Sequence, residues 1–233
     1  MGTLVDFRAW LRTDLNDPLG ANQRFADPDL ERAVTRAVAA LTEAAPLETD
    51  TEHTVVTASR TVSLAGAPYA GALLDVCEVE HPYGAGGAQA RYPPQLVPFR
   101  VSPDRTRVLL LSDEVPAVGS VLRLRWAAAH LVTAASSTVP LVLDPLVALG
   151  AAGHACLAYS TPTLDNFKYE DGASVSGVDD SMIGNAWQER GRVHLERFAE
   201  GLESLRRRRA LDGQAWVNWG SDEESALWPL VRP

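Results

Sequence analysis

The sequence predicts an α+β protein: a helical core of about four helices, an inserted antiparallel β module (a small sandwich or open barrel) and an extended C-terminal tail. Three observations predict it. Apolar residues recur at helical spacing from Leu4 to Leu41, alternate with polar ones from about residue 52, and return to helical spacing after Pro140. The expected divisions are an N-terminal helical pair over 1–48, a β module over 49–139, helices completing the core over 140–210, and a tail over 211–233.

The first helix is predicted from Thr3 to about Leu15. Thr3 with Asp6 makes a capping box, and Leu4, Phe7, Leu11 and Leu15 form one apolar stripe. Asn16-Asp17-Pro18-Leu19-Gly20 stops it. The second helix opens on Asp27 as cap with Pro28 in the first turn, and Leu30, Val34, Ala37, Val38 and Leu41 follow at helical spacing. Strands are expected at Thr54–Val62, Leu73–Val79, Leu96–Val101, Arg107–Leu111 and Val121–Val132. In the last, Leu122, Leu124 and Trp126 alternate with Arg123 and Arg125, the mark of a sheet wet on one face. Asp144 and Pro145 repeat the cap-then-proline pattern and open an Ala/Gly-rich helix. An acidic loop follows over about 161–180. A last helix runs to about Ala210, with Ile183, Trp187, Arg190 or Gly191, His194, Phe198, Leu202 and Leu205 on its inner face.

The net charge of −9 argues against a nucleic-acid binder that neutralises phosphates, yet it suits a wall that DNA slides past. No run approaches the roughly 18 consecutive apolar residues of a membrane span. Charges in MGTLVDFRAWLRTDL stand where a signal peptide has its apolar stretch, so a cytoplasmic protein is expected. Cys77 and Cys156 read as buried free thiols, with a disulfide or metal role as the alternative.

Catalytic patterns are missing from the sequence. His53, His81, His130, His154 and His194 are scattered, and His154 and Cys156, two apart on a helix, point to different faces. Gly84-Ala85-Gly86-Gly87 lacks the following lysine and helix of a phosphate-cradling loop. There is no GxSxG elbow, and the acid pairs Asp179-Asp180 and Glu223-Glu224 fall in loop or tail. The reading is therefore a non-enzyme with no cofactor and no metal.

Two features point to partners. The tail holds three of the six tryptophans, Trp216, Trp219 and Trp228, beside Leu227 and Leu230. Each tryptophan buries roughly 150–250 Å², so such a segment is suited to lie in a groove, on a partner or on its own domain. Arg206, Arg207, Arg208 and Arg209 form a dense cationic run. At a helix C-terminus they satisfy the exposed carbonyls; an acidic partner surface and DNA are the other readings.

Leu11-Arg12 through Asp17, then Arg24-Phe25-Ala26-Asp27, then Leu30-Glu31-Arg32-Ala33-Val34 and Ala39-Ala40-Leu41 resemble the opening of tailed-phage head-to-tail adaptor (connector, head-completion) proteins. The β stretch with Leu74-Asp75-Val76 and Val121–Trp126, and the Ala/Gly-rich helix over Asp144–Tyr159, resemble adaptors that insert a β module into the helical core. The resemblance implies a structural virion protein at the head–tail junction, assembled in the bacterial host cytoplasm. It implies a ring of about a dozen copies under the portal. Its partners would be the portal protein, a tail or nozzle protein and copies of itself, with no membrane and with DNA passing through the channel without sequence-specific binding. The tail tryptophans would be the anchors on the portal or a neighbour. A tail-completion or other assembly component is the alternative, and an unrecognised hydrolase a third.

Overall fold

The computed structural model describes residues 1–20, 23–66, 69, 73–84, 94–166 and 181–214. Among these residues the fold is α+β, with four α-helices and two antiparallel sheets. The chain divides into two compact units: Met1–Ala45 with His130–Arg208, and Pro46–Ala129 with Arg209 onward.

The first unit is helical. Helix α1 spans Leu4–Asp14 and opens on the predicted capping box: Asp6 N–H donates to Thr3 Oγ1 and Thr3 N–H donates to the Asp6 carboxylate. Its apolar stripe buries Phe7, Leu11 and Leu15 completely or nearly so. Asn16, in the left-handed region at φ 52°, turns the chain away. Helix α2 spans Asp27–Ala44 and buries the five apolar positions that predicted it.

Asp27 does not cap α2. The cap position is Ala26, which offers no side-chain bond, and the Asp27 carboxylate turns to Arg8 and Arg12 instead. A charge-assisted bond to a guanidinium is roughly twice as strong as one to a neutral amide, so the arginines win the carboxylate.

A 3₁₀ turn at Leu141–Leu143 leads into helix α3, Asp144–Asn166, which runs past the expected loop start near residue 161. Helix α4, Ser181–Gln214, continues four residues beyond the predicted end. The small residues of α3 serve the close approach inferred from them. A Cβ on Gly191 would lie 3.0 Å from the Gly153 carbonyl oxygen, and one on Gly153 would lie 3.1 Å from that of Gly191. Backbone meets backbone there. Phe198 and Leu202 of α4 join the core, and Trp187, Leu195 and Leu205 pack against it.

The stretch Leu141–Ser160 has the length and hydropathy of a membrane span, with mean hydropathy 1.7. Spaced small residues hid this from a search for an unbroken apolar run. Half of it is buried inside the structure, the pattern of a core helix.

The second unit contains two three-stranded antiparallel sheets, ordered β1-β6-β3 and β2-β5-β4. The strands are β1 Leu47–Thr54, β2 Thr61–Ser63, β3 Leu73–Tyr83, β4 Phe99–Val101, β5 Arg107–Leu110 and β6 Val121–Ala128. One apolar core is shared by both sheets, including Val62, Val108 and Leu110 from one and Val76, Val79, Leu122, Leu124 and Trp126 from the other. Val97 N–H donates to Val79 O at 2.8 Å and His81 N–H to Gln95 O at 3.0 Å, which ties the sheets along one edge.

The strand expected at Thr54–Val62 is two strands separated by a bend. Strand β1 lies earlier, and its sequence LETDTEHT contains one large apolar residue, so no hydrophobic alternation announces it. It is an edge strand whose alternate residues are only half-buried. Thr51 anchors it by accepting the Trp126 indole N–H at 3.0 Å. Strand β6 ends at Ala128, short of the predicted Val132, because His130 leaves the ladder. Its amide donates to Thr42 Oγ1, and its ring Nε2 lies 2.9 Å from Ala45 O.

Candidate functional site

The Arg24-Phe25-Ala26-Asp27 turn is held by a buried charge network. Asp17, with its side chain fully buried, accepts from Arg12 and from the Arg24 and Phe25 amides. Arg12 also donates to Phe25 O and to Asp27. Phe25 is thereby placed against Tyr159 and Trp187, at centroid distances of 5.2 and 5.8 Å. Arg24 and Arg190 lie over the Trp187 ring. The turn is an organising element of the helical unit.

On the arginine-bearing face of β6, which is half-buried, Arg125 reaches Asp50 at 3.2 Å on one neighbour and Glu78 at 3.3 Å on the other. Arg123 pairs with Glu80 at 3.1 Å and lies over the Tyr83 ring. These cross-strand pairs fix sheet register and hold their charges neutralised in place.

The cationic run lies within α4, not at its end. Helix continues to Gln214, with no basic residue in its last turn, so these arginines do not cap it. Arg206 and Arg207 face Glu203 at 4.0 and 3.1 Å. Arg209 donates to Glu48 at 2.7 Å. Arg208 is exposed and makes no ion pair among the described residues. The tail positions Trp216, Trp219, Leu227, Trp228 and Leu230 lie outside the described residues.

The histidines stay apart, and no group of three or more potential metal ligands occurs among the described residues. Burial pushes the pKa of His53, His81, His154 and His194 down, helped at His154 by Arg36 and at His194 by Arg190 and Arg197. Cys156 is buried, and that burial pushes its thiol up to about 11. Cys77 is exposed, contrary to expectation. The register shift between Val76 and Glu78 makes it the extra residue of a β-bulge and turns it outward. Partial burial, then the Glu48 charge, raises its thiol, so it is no activated nucleophile.

One concave feature went unread in the sequence. A cleft of about 430 Å³ is lined by Trp10, Thr13, Asp14, Leu141, Asp144, Pro145 and Ala148. Trp10 falls off the apolar stripe of α1, and Leu141 and Val142 are 68% and 81% exposed. A tryptophan on the wet side of an amphipathic helix was the available signal. At the cleft, Asp144 is 3% exposed. Its Oδ2 accepts the Gly2 amide at 2.8 Å, with the Met1 amine 3.7 Å away. Its Oδ1 is buried and has no hydrogen-bond partner among the described residues.

No protein-family model matches the chain, and no curated protein matches it. Among solved structures, the neck of an empty GTA particle computed with C6 symmetry aligns at 19% identity, covering 79% of this chain and 88% of that one, with a TM-score of 0.28. A chain of the virion of the native gene transfer agent particle aligns at 20% identity over 79% and 88%, with a TM-score of 0.28. The neck of the native particle computed with C12 symmetry aligns at 19% over 80% and 92%, with a TM-score of 0.25. Likenesses this weak carry no argument, so function rests on the chain's own residues.

Proposed function

We propose that the chain is a structural head-to-tail adaptor of a tailed-phage-like particle. Copies of it form a ring beneath the portal and leave a central channel for DNA. The observation that supports this reading best is the way the helical unit is assembled. Segments on either side of the β unit contribute to it, Met1–Ala45 before and His130–Arg208 after. The Arg-aromatic-x-Asp turn that carried the family resemblance is locked into its core by Arg12 and Asp17. Those residues are spent on architecture.

In this reading the partners are the portal, a tail or nozzle protein and further copies of the chain, at the head–tail junction of a virion assembled in the host cytoplasm. The C-terminal segment, with Trp216, Trp219, Leu227, Trp228 and Leu230, supplies anchors for the portal or a neighbouring copy. Aromatic anchors dominate binding energy at interfaces, and a segment that orders on docking covers a large surface. The exposed arginines of the 206–209 run, Arg208 foremost, meet acidic groups of the partner. The acidic balance keeps the channel from gripping phosphate.

The test is co-purification of the chain with its portal protein, with and without residues 211–233. The full chain is expected to bind. The truncated chain is expected to keep its circular dichroism spectrum and lose the portal. Equal binding by both chains contradicts the role given to the tail.

A further inference from the structure

We infer that the cleft between α1 and the start of α3 is the seat for Trp228 from the C-terminal segment of a second copy of this chain.

The cleft asks for one kind of side chain. Its walls are Trp10, Leu141, Pro145 and Ala148, which favour an apolar and preferably aromatic body. Tryptophan brings a broad, flat apolar ring. A space of about 430 Å³ takes one such ring together with a proline or leucine beside it.

The chain carries a segment of that chemistry. Trp228 lies in Leu227-Trp228-Pro229-Leu230-Val231-Arg232, apolar on both sides. Trp219 is flanked instead by Asn218 and Gly220, and the apolar run around Trp216 is only Ala215-Trp216-Val217. At the cleft, Leu141 stands exposed as footing for the flanking residues. Asp14 lines the rim, where the Arg232 guanidinium finds its counter-charge. From Ala215 to Trp228 an extended chain spans at most about 46–50 Å.

A tail on one copy and a cleft on the next make a heterologous contact, the type that closes into rings. The second copy as occupant therefore rests on the ring proposed above.

The probe is a fluorescein-labelled peptide of residues 222–233, titrated by anisotropy against dilute full-length chain, against the full-length Trp228→Ala chain and against the Leu141→Asp chain. Leu141 is exposed, so its substitution leaves the fold in place, which circular dichroism checks. Saturable binding to the first two is expected, with affinity at least about tenfold weaker on Leu141→Asp and for a peptide carrying Trp228→Ala. No saturable binding, or equal binding by these variants, overturns the seat. Binding to the Trp228→Ala chain but not to dilute wild type means the segment seats on its own copy, and the second-copy assignment falls. The solution mass with portal separates the two proposals. A ring without peptide binding removes only the seat, whereas peptide binding by a chain that never assembles removes the ring.

Discussion

Arg12 of α1 bridges Asp17, buried in the following turn, and Asp27, at the start of α2. One guanidinium therefore sets the geometry of the first two helices and of the Phe25 backbone between them, whose carbonyl it also binds. Asp17 is fully buried and Arg12 is 10% exposed, so neither charge can fall back on water.

Arg12→Ala is expected to destabilise the helical unit by about 3–5 kcal/mol, because it strands a buried carboxylate. Urea unfolding followed by circular dichroism measures this. A loss below about 1 kcal/mol would show that the network is dispensable.

Alanine is the better helix former by up to about 1 kcal/mol, yet Gly191→Ala is expected to destabilise. The new methyl would stand 3.0 Å from the Gly153 carbonyl oxygen and 3.1 Å from Cys156 Cβ. Backbone cannot swing aside as a side-chain tip can, and overpacking costs about 1–3 kcal/mol. A raised melting temperature would show that α3 and α4 separate without cost.

Stability is expected to fall as the pH drops below about 6.5. Burial holds His53, His81, His154 and His194 below their ordinary pKa, so the unfolded chain binds protons first. Their contribution is complete above the unfolded value and is lost as pH falls through the folded ones. Asp104, brought to about 2 by hydrogen bonds from Ser102 and Thr106, adds a second loss below pH 4. Urea midpoints from pH 8 to pH 5 check the first loss. A midpoint that rises toward pH 5 contradicts it.

A thiol reagent at pH 8 should modify one cysteine per native chain, slowly, and two after denaturation. Cys77 is exposed with its thiol held protonated, while Cys156 is buried and displaced to about 11. Prompt modification of both in the native chain would mean that α3 opens readily.

The helices were legible where a cap, a proline and an apolar stripe agree, as at Thr3-Asp6 and Pro28-Leu30. Strand β6 was legible because Leu122, Leu124 and Trp126 alternate with two arginines. Strand β1 was not, since an edge strand of threonines and acids leaves no apolar trace. The outward turn of Cys77 depends on a bulge, which is a relation between two strands. Asp27 and Asp144 both read as caps before proline, yet one is taken by arginines and the other lies buried at a cleft. That cleft joins Trp10 to Leu141 and Ala148, and only folding brings those positions together.

Assembly is read from the solution mass by light scattering, for the chain alone and after mixing with its portal protein. The account predicts a free monomer or ring that joins the portal as a complex of about a dozen copies. A stable monomer or dimer that ignores the portal would contradict it.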